Sequence, residues 1–308
     1  MRIGIFGTGA LGGFYGGILV KNGADVVFIA RGKTLEVIRK QGLGIKSVKY
    51  GEFTVPVKAT DNPDAAGKVD ILLLCVKSYD TAKVAPLLLP MLKETSVVIS
   101  VQNGIDNEEI LAEVLGAERV LGGVAFVGAY VISPGVVVHE AAGLLEIGEL
   151  TRKKTERVER VVSFLNAYGI ESRVSRDILY ALWKKLLWNV AFNPYSVVTR
   201  TTVGQMLTCK EAREILVSVM QECLEVARAW GVKLKESHIE KYLKVTPGLS
   251  DYKTSMLLDF ERGKPLEIEG ITGALIKKAE AKKLNVPFNR CIYNTVKFLV
   301  KMRDGLKS

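Results

Sequence analysis

Short, almost wholly apolar segments alternate with longer amphipathic ones through the first half of the 308-residue chain. The short segments are rich in β-branched residues and lie at Arg2 to Phe6, Asp25 to Ala30, Asp70 to Val76, Val97 to Val101 and Val120 to Phe126. Strands that are apolar on both faces and separated by helices are typical of a parallel sheet covered on both sides. The pattern predicts an α/β domain, with a small hairpin between Gly42 and Lys58.

The pattern changes near residue 175. Before it, Val131 to Ile147 is β-rich, and Lys153 to Tyr168 has the apolar spacing of an amphipathic helix. From Arg176 onward the sequence predicts helices almost throughout. We expect breaks between these helices near Pro194, Thr208, Gly231, Pro247-Gly248, Gly263 to Pro265 and Asn285 to Pro287. The chain is therefore expected to form an α/β domain over residues 1–175 and an all-helical domain over residues 176–308.

A glycine-rich segment connects the first predicted strand to a helix that runs to about Asn22. Its sequence is Gly7-Thr8-Gly9-Ala10-Leu11-Gly12. In a G-x-G-x-x-G motif the first glycine permits a tight turn, the second lets a pyrophosphate approach the backbone, and the third lets helix and strand pack closely. Such a motif alone could be an ordinary turn, but the strand before it and the helix after it favour a Rossmann dinucleotide-binding domain in which residues 7–12 contact the cofactor.

The residue that follows the second strand distinguishes the two nicotinamide dinucleotides. An acidic side chain there binds the ribose 2′-hydroxyl of NAD. This chain has Arg31 instead, with Lys33 close behind. Because a guanidinium matches a 2′-phosphate, NADP is favoured over NAD, and the alternative is that Arg31 is only a surface cation. Lys77 and Asn103 follow the next strands, at the sheet edge where ligands of such domains bind, so they are further candidates for ligand contact.

A polar stripe runs along an otherwise apolar helix in the second half. Lys185, Asn189 and Asn193 recur every four residues and so share one face, while most of the surrounding residues are apolar. An ordinary solvated face is the alternative, but asparagine is a poor helix former and buried amides without partners are costly. We therefore expect the amides to bind a ligand, and Lys185, in a partly dry setting, to serve as a proton donor.

Composition and charge exclude several classes of function. No apolar run is long enough for a membrane span, and the N-terminal segment does not resemble a signal peptide, so a cytoplasmic protein is expected. The net charge of +10 is spread along the chain among acidic residues, which argues against nucleic-acid binding. The 4 cysteines lack metal or redox spacing and are expected to be reduced and mostly buried. His139 and His238 are expected to be structural, so no metal is predicted.

Together these motifs resemble the ketopantoate reductases, also called 2-dehydropantoate 2-reductases, over nearly the full length. The resemblance is carried by the glycine motif, Arg31, Val76-Lys77, Gln102-Asn103-Gly104, the stripe ending in Asn193-Pro194, Ser255-Met256-Leu257 and Glu267. It implies a Rossmann domain followed by a helical domain like the C-terminal domain of 6-phosphogluconate dehydrogenase. The implied reaction is the NADPH-dependent reduction of 2-dehydropantoate to (R)-pantoate, a step towards pantothenate and coenzyme A.

The resemblance also implies roles for single residues. Lys185 would protonate the carbonyl oxygen, and Asn103 would share that oxygen. The substrate's hydroxyl and carboxylate would be held by Asn189, Asn193 and Ser255. Glu267 would orient the polar network, Lys77 and Arg31 would serve the cofactor, and the cofactor contacts would extend to Asn103 and Glu267.

One position departs from the family pattern. Family members often carry a further substrate-contacting asparagine where this chain has Val203, and Thr201 or Thr202 could replace its contact. A reductase of another small branched 2-keto acid is therefore an alternative function. A dinucleotide-sensing protein without catalysis is a second alternative, against which the intact polar stripe argues. A homodimer is expected because a helical domain with exposed apolar faces favours one.

Overall fold

The computed structural model describes residues 1–245 and 250–305. The chain divides into two compact units, of which the first comprises Met1–Gln102 and Asn107–Ala181 and the second comprises Asn103–Asp106 and Leu182–Ser308. The expected domain boundary after residue 175 stays a prediction, since spatial compactness and domain limits are different properties. No helix in the described ranges is long and apolar enough to cross a membrane.

The first unit contains one 10-stranded sheet. Its strands are β1 (Arg2–Phe6), β2 (Asp25–Ile29), β3 (Leu43–Ser47), β4 (Gly51–Val55), β5 (Lys58–Thr60), β6 (Val69–Leu74), β7 (Leu92–Ser100), β8 (Val120–Ser133), β9 (Val136–Glu149) and β10 (Ser172–Val174). They lie in the order β4-β3-β9-β8-β7-β6-β1-β2-β5, with β10 paired to β9. The neighbours from β8 to β5 are parallel, as predicted.

The rest of the sheet is mixed. The segment predicted to be a short strand followed by a β-rich stretch is one long antiparallel hairpin of β8 and β9, which turns at Gly135 with a φ of +78°. The small hairpin of β3 and β4 is confirmed, and β3 also pairs in parallel with β9. The hairpins therefore extend the parallel sheet at one side, because their strands find hydrogen-bond partners there.

Six helices belong to the first unit. They are α1 (Ala10–Lys21), α2 (Gly32–Gln41), α3 (Pro63–Ala66), α4 (Thr81–Leu88), α5 (Asn107–Leu115) and α6 (Glu156–Ala167). Successive residues of β6 enter different cores, with Ile71 and Leu73 packed in the cluster that includes α1 and α6, and Leu72 and Leu74 in the cluster that includes α4 and α5. This alternation explains why the strands are apolar throughout, since both faces of the sheet are buried.

The second unit is helical, so the predicted fold class is confirmed. Its helices are α7 (Ile178–Thr199, which begins within the first unit), α8 (Val203–Thr208), α9 (Lys210–Ala229), α10 (Ser237–Val245), α11 (Ser255–Glu261), a π-helical segment (Glu269–Gly273), α12 (Ala274–Ala281) and α13 (Pro287–Gly305). The expected break at Pro194 is wrong, because α7 continues through it with its flanking apolar residues fully buried. The expected break at Pro247-Gly248 lies outside the described residues.

A buried carboxylate ties α9 to α13. Glu222 is 8% exposed, and its oxygens accept hydrogen bonds from the backbone N–H groups of Phe288 (2.9 Å) and Asn289 (3.0 Å). The side-chain amide of Asn289 donates to it as well, at 2.8 Å. These N–H groups belong to the first turn of α13, which has no intrahelical acceptors for them and carries positive partial charge.

The cysteines and histidines differ in their surroundings. All 4 cysteines are free, but the expectation that most are buried is wrong, since Cys209, which precedes α9, and Cys291, on the outer face of α13, are exposed. His139 is buried and stacks on Phe14 with 4.2 Å between ring centroids. Its Nδ1 lies 2.8 Å from the Ser47 hydroxyl, and its Nε2 lies 3.1 Å from two backbone carbonyls, to which it donates.

We predict that His139 makes stability depend on pH. Burial lowers the pKa of His139 below its ordinary 6.5, and the charge of Lys49 acts in the same direction. The unfolded chain therefore binds a proton at higher pH than the folded chain, so stability falls as pH falls from about 7.5 through the unfolded pKa. The Tm of the wild-type protein should decrease as pH is lowered through this range. His139→Gln should make that decrease in Tm smaller, whereas His238→Gln should leave it unchanged. An unchanged pH profile in His139→Gln would contradict this assignment.

Candidate active site

The glycine-rich turn between β1 and α1 is shaped by close backbone contacts. Gly7 has a φ of +100°, and a Cβ there would lie 2.8 Å from Val76 Cγ1 and 2.9 Å from its backbone nitrogen. A Cβ at Gly12 would lie 2.1 Å from the carbonyl oxygen of Gly7. Both positions therefore exclude every other residue, and together they hold the first turn of α1 against the end of β1.

Gly9 differs from the other two glycines of the motif, Gly7 and Gly12. A Cβ there would meet no protein atom within 4 Å, so the space in front of Gly9 is open. Gly9 is also the N-cap of α1, where no side chain caps the helix and the first turn has no acidic residue. Thr8 directs its hydroxyl away to the carbonyl oxygen of Ile29, at 3.1 Å. The N–H groups that begin α1 are thus available to an anionic group such as a pyrophosphate.

Arg31 lines a small cavity beside this turn. The cavity has a volume of about 160 Å³, and its walls include Gly7, Thr8, Arg31 and Thr34. Arg31 is exposed and stands at the N-terminus of α2. Lys33, by contrast, pairs with Glu36 at 3.1 Å on the open surface. The cavity therefore offers one guanidinium and a helix N-terminus to a ligand that extends from the glycine turn.

Polar side chains follow β6 and β7 at the ends of these strands, as the sequence predicts. Lys77 is half-buried and precedes a 3₁₀ turn at Ser78–Asp80. Asn103 is also half-buried, and its amide lies 3.4 Å from Glu267 Oε2, a weak hydrogen bond. Glu267 is 7% exposed and comes just before the π-helical segment. Asn103 and Glu267, which are 164 positions apart in sequence, thus meet within the second unit.

The polar stripe lies on α7. Asn189 and Asn193 are 6% and 5% exposed, and Lys185 is half-buried. Helical spacing places the three on one face, two turns from end to end. Helix α10 packs nearby, where the hydroxyl of Tyr242 donates to the carbonyl oxygen of Lys184 at 2.8 Å. The expectation of amides in a setting with little water is met by these exposures.

Thr254, the residue before Ser255, is joined to α7 through a pair of buried hydroxyls. Ser196 Oγ donates to the carbonyl oxygen of Asn193 at 2.7 Å and lies 2.7 Å from Thr254 Oγ1. Thr254 is the N-cap of α11 and accepts from the N–H of Leu257. Ser255 is the first residue of α11 and is exposed. A chain of short contacts therefore relates the exposed serine to the end of the polar stripe.

Val203, the departure from the expected pattern, lies in the core. Its side chain is 0% exposed, and its N–H donates to the carbonyl oxygen of Tyr252 at 3.0 Å. Thr202 caps α8 with its hydroxyl, which lies 3.3 Å from the N–H of Gln205 and 2.6 Å from the carbonyl oxygen of Ser250. The other threonine that could replace the missing amide, Thr201, is hydrogen-bonded to Thr199 at 2.7 Å. Both hydroxyls are therefore engaged in local structure.

Comparison of the chain with known protein families identifies the family to which these motifs belong. Models described as "Ketopantoate reductase PanE/ApbA" and "Ketopantoate reductase PanE/ApbA C terminal" match residues 3–152 and 177–300. The chain belongs to the ketopantoate reductase family. This is a family of oxidoreductases with a dinucleotide-binding fold, so the predictions of family, fold and enzymatic class are confirmed.

Relatives of this ketopantoate reductase family member match it over their full length. The 2-dehydropantoate 2-reductase of Archaeoglobus fulgidus is 35% identical, over 96% of this chain and 97% of the relative. That of Pyrococcus horikoshii is 33% identical over 100% of both. The crystal structure of the 2-dehydropantoate 2-reductase from Geobacter metallireducens has a TM-score of 0.92 at 32% identity, covering 96% of this chain and 99% of that one.

The polar residues that support the ketopantoate reductase motifs were not singled out from the sequence. Ser196 and Thr254 lie near predicted site residues, but only the fold brings them together across 58 positions. The same holds for Thr81 and Asn107, which form a buried hydrogen-bonded group with Gln102 of the motif at Asn103. Among residues 1–245 and 250–305, no cluster of three or more His, Cys, Asp or Glu side chains could hold a metal ion.

We predict that alanine at two glycines of the motif will separate binding from folding. Gly9→Ala adds a Cβ that meets no protein atom, so Tm should change little while the dissociation constant of a nicotinamide dinucleotide rises about tenfold or more. Gly12→Ala forces its Cβ against the carbonyl of Gly7, so Tm should fall. Calorimetry and fluorescence titration measure the two effects. Tight binding by Gly9→Ala would contradict a cradle at this turn.

Proposed function

We propose that the chain reduces 2-dehydropantoate to (R)-pantoate with NADPH. The observation that carries the proposal is the polar stripe of α7, in which a half-buried lysine is followed by two amides that are almost fully buried. On a purely structural helix face, buried amides cost free energy unless they are hydrogen-bonded, and a hydroxy-keto acid offers them hydrogen-bond partners. Relatives that bear the name 2-dehydropantoate 2-reductase support the choice of substrate.

The residues of the glycine turn fit a bound dinucleotide. The open space before Gly9 and the uncapped start of α1 suit the pyrophosphate, and the cavity beside Arg31 suits the adenosine end. A 2′-phosphate there would pair with the guanidinium of Arg31, which supports NADPH over NADH. Lys77 would contact the cofactor from the end of β6, as would Asn103 and Glu267. When bound, the nicotinamide supplies the hydride that adds to the keto carbon.

In the proposed mechanism, Lys185 donates a proton from its ammonium group to the carbonyl oxygen, so that hydride and proton together give the 2-hydroxy acid. The amide of Asn103 donates a hydrogen bond to that same oxygen and stabilises its developing negative charge. Glu267 accepts from the amide of Asn103 and so directs its N–H group. The site's amides on α7 and the exposed hydroxyl of Ser255 hold the hydroxyl and carboxylate of the substrate.

A second candidate, a reductase of another small branched 2-keto acid, is supported by Val203. This side chain is buried and offers no hydrogen bond where the family often has an asparagine. A site that hydrogen-bonds a substrate hydroxyl rejects analogues without it far more strongly than an apolar site does. The loss of one such contact therefore favours a broader range of 2-keto acids, with the same residues acting on each.

The proposal is tested by following NADPH oxidation with a panel of 2-keto acids. We expect turnover with 2-dehydropantoate, and Lys185→Ala should lower kcat about 100-fold or more while leaving NADPH affinity nearly unchanged. Lys184→Ala is the matched control, because its side chain leaves α7 on another face, and it should keep its activity. A preference for a different 2-keto acid would favour the second candidate. No turnover across the panel would favour a dinucleotide sensor and reject both.

We predict that Arg31 determines the preference between dinucleotides. Arg31→Ala should weaken NADPH binding about tenfold or more, because a charged hydrogen bond to phosphate is lost, and should leave NADH binding unchanged. Lys33→Ala, which removes a cation already paired with Glu36, is the control and should have little effect. Titrations with both dinucleotides measure the effect. Equal weakening of NADPH and NADH binding would show that Arg31 does not contact the 2′-phosphate.

The positive charge of the chain suits anionic partners, since a net charge of +10 raises the encounter rate with both the keto acid and the dinucleotide. A homodimer and a cytoplasmic location stay predictions. Light scattering, which distinguishes the 33.8 kDa chain from twice that mass, tests the first of them.

A further inference from the structure

The segment that carries Asn103 is anchored at both ends by buried polar residues. It consists of Asn103–Asp106, and Gln102 and Asn107 flank it directly. Gln102 is 4% exposed and Asn107 is 1% exposed. Within the segment, Gly104 has a φ of +112°, so the chain turns sharply there. The backbone of the segment is therefore constrained on both sides by these flanking residues.

One hydroxyl holds both flanking residues. Thr81 is 0% exposed, and its Oγ1 accepts a hydrogen bond from Gln102 Nε2 at 2.8 Å. The same Oγ1 donates to Asn107 Oδ1, also at 2.8 Å. Ser100 adds a weaker contact to Gln102 Oε1 at 3.4 Å. The hydroxyl of Thr81 thus uses its donor and one acceptor position to close the segment as a loop.

Thr81 also lies close in sequence to Lys77, the polar residue that follows β6. It is the first residue of α4, and the 3₁₀ turn Ser78–Asp80 separates it from Lys77. That turn is closed by the N–H of Asp80, which donates to the carbonyl oxygen of Lys77 at 2.9 Å. Thr81 is therefore linked through this turn to Lys77 and through hydrogen bonds to the two residues that flank the segment of Asn103.

We propose that Thr81 is a positioning residue that orients Asn103 through the two residues that flank its segment. The inference rests on the proposed function, in which Asn103 donates to the carbonyl oxygen of the substrate. Valine has the shape of threonine and would fill the same space, so packing alone does not require a hydroxyl in this buried place. A buried hydrogen-bonded group specifies one arrangement of its members, which is what an amide aimed at a reacting oxygen needs.

The test compares Thr81→Val, Thr81→Ser, Asn103→Ala and the double variant Thr81→Val/Asn103→Ala in the NADPH-dependent reduction of 2-dehydropantoate. Thr81→Val should lower kcat on the order of tenfold with a smaller change in NADPH affinity, because it misplaces a catalytic group. Thr81→Ser, which keeps the hydroxyl, should restore most of the activity. The double variant should be no slower than Asn103→Ala alone, because Thr81 acts through Asn103.

Ser96→Ala is the matched control for lost stability. Ser96 is 2% exposed at the opposite end of the sheet, and its hydroxyl donates to the carbonyl oxygen of Val69 at 2.6 Å. Like Thr81→Val, it should lower Tm, but it should leave kcat unchanged. If Thr81→Val also lowers only Tm, or if its effect adds fully to that of Asn103→Ala, the positioning role is wrong. If Asn103→Ala itself keeps full kcat, the proposed role of Asn103 fails instead.

Discussion

The backbone at the start of α1 lies so close to the end of β1 that no side chain fits between them. A Cβ at Gly12 would lie 2.1 Å from the carbonyl oxygen of Gly7, and one at Gly7 would collide with Val76 at the end of β6. This contact fixes the N-terminal end of α1 against the end of β1. The uncapped N-terminus of α1 and the cavity beside Arg31 both lie at this contact.

The helical unit buries polar side chains on a helix that is otherwise apolar. Asn189 and Asn193 are buried on α7, where water cannot satisfy them freely. The hydroxyls of Ser196 and Thr254 then relate the end of this stripe to Ser255 on α11. At this end of α7 side-chain hydrogen bonds therefore link the stripe to α11.

Much of this arrangement could be predicted from sequence because it depends on local patterns. The strands of the parallel sheet, the glycine turn and the stripe at Lys185 each follow from spacing within a few residues. The long hairpin of β8 and β9 was divided wrongly, since its pairing is set across the sheet, and Pro194 was expected to end a helix that tertiary packing sustains. The meeting of Asn103 with Glu267 joins residues 164 positions apart, and no periodicity encodes such a distance.

The hydrogen bonds of Glu222 depend on residues that are synthesised late in the chain. Its buried carboxylate receives its donors from the first turn of α13. Until those residues leave the ribosome, the carboxyl group of Glu222 lacks these donors, and burying a polar group without hydrogen bonds is unfavourable. All strands of the sheet are synthesised earlier, so the first unit is able to fold before α13 is complete. The hydrogen bonds that hold α9 to α13 can therefore form only once the first turn of α13 has been synthesised.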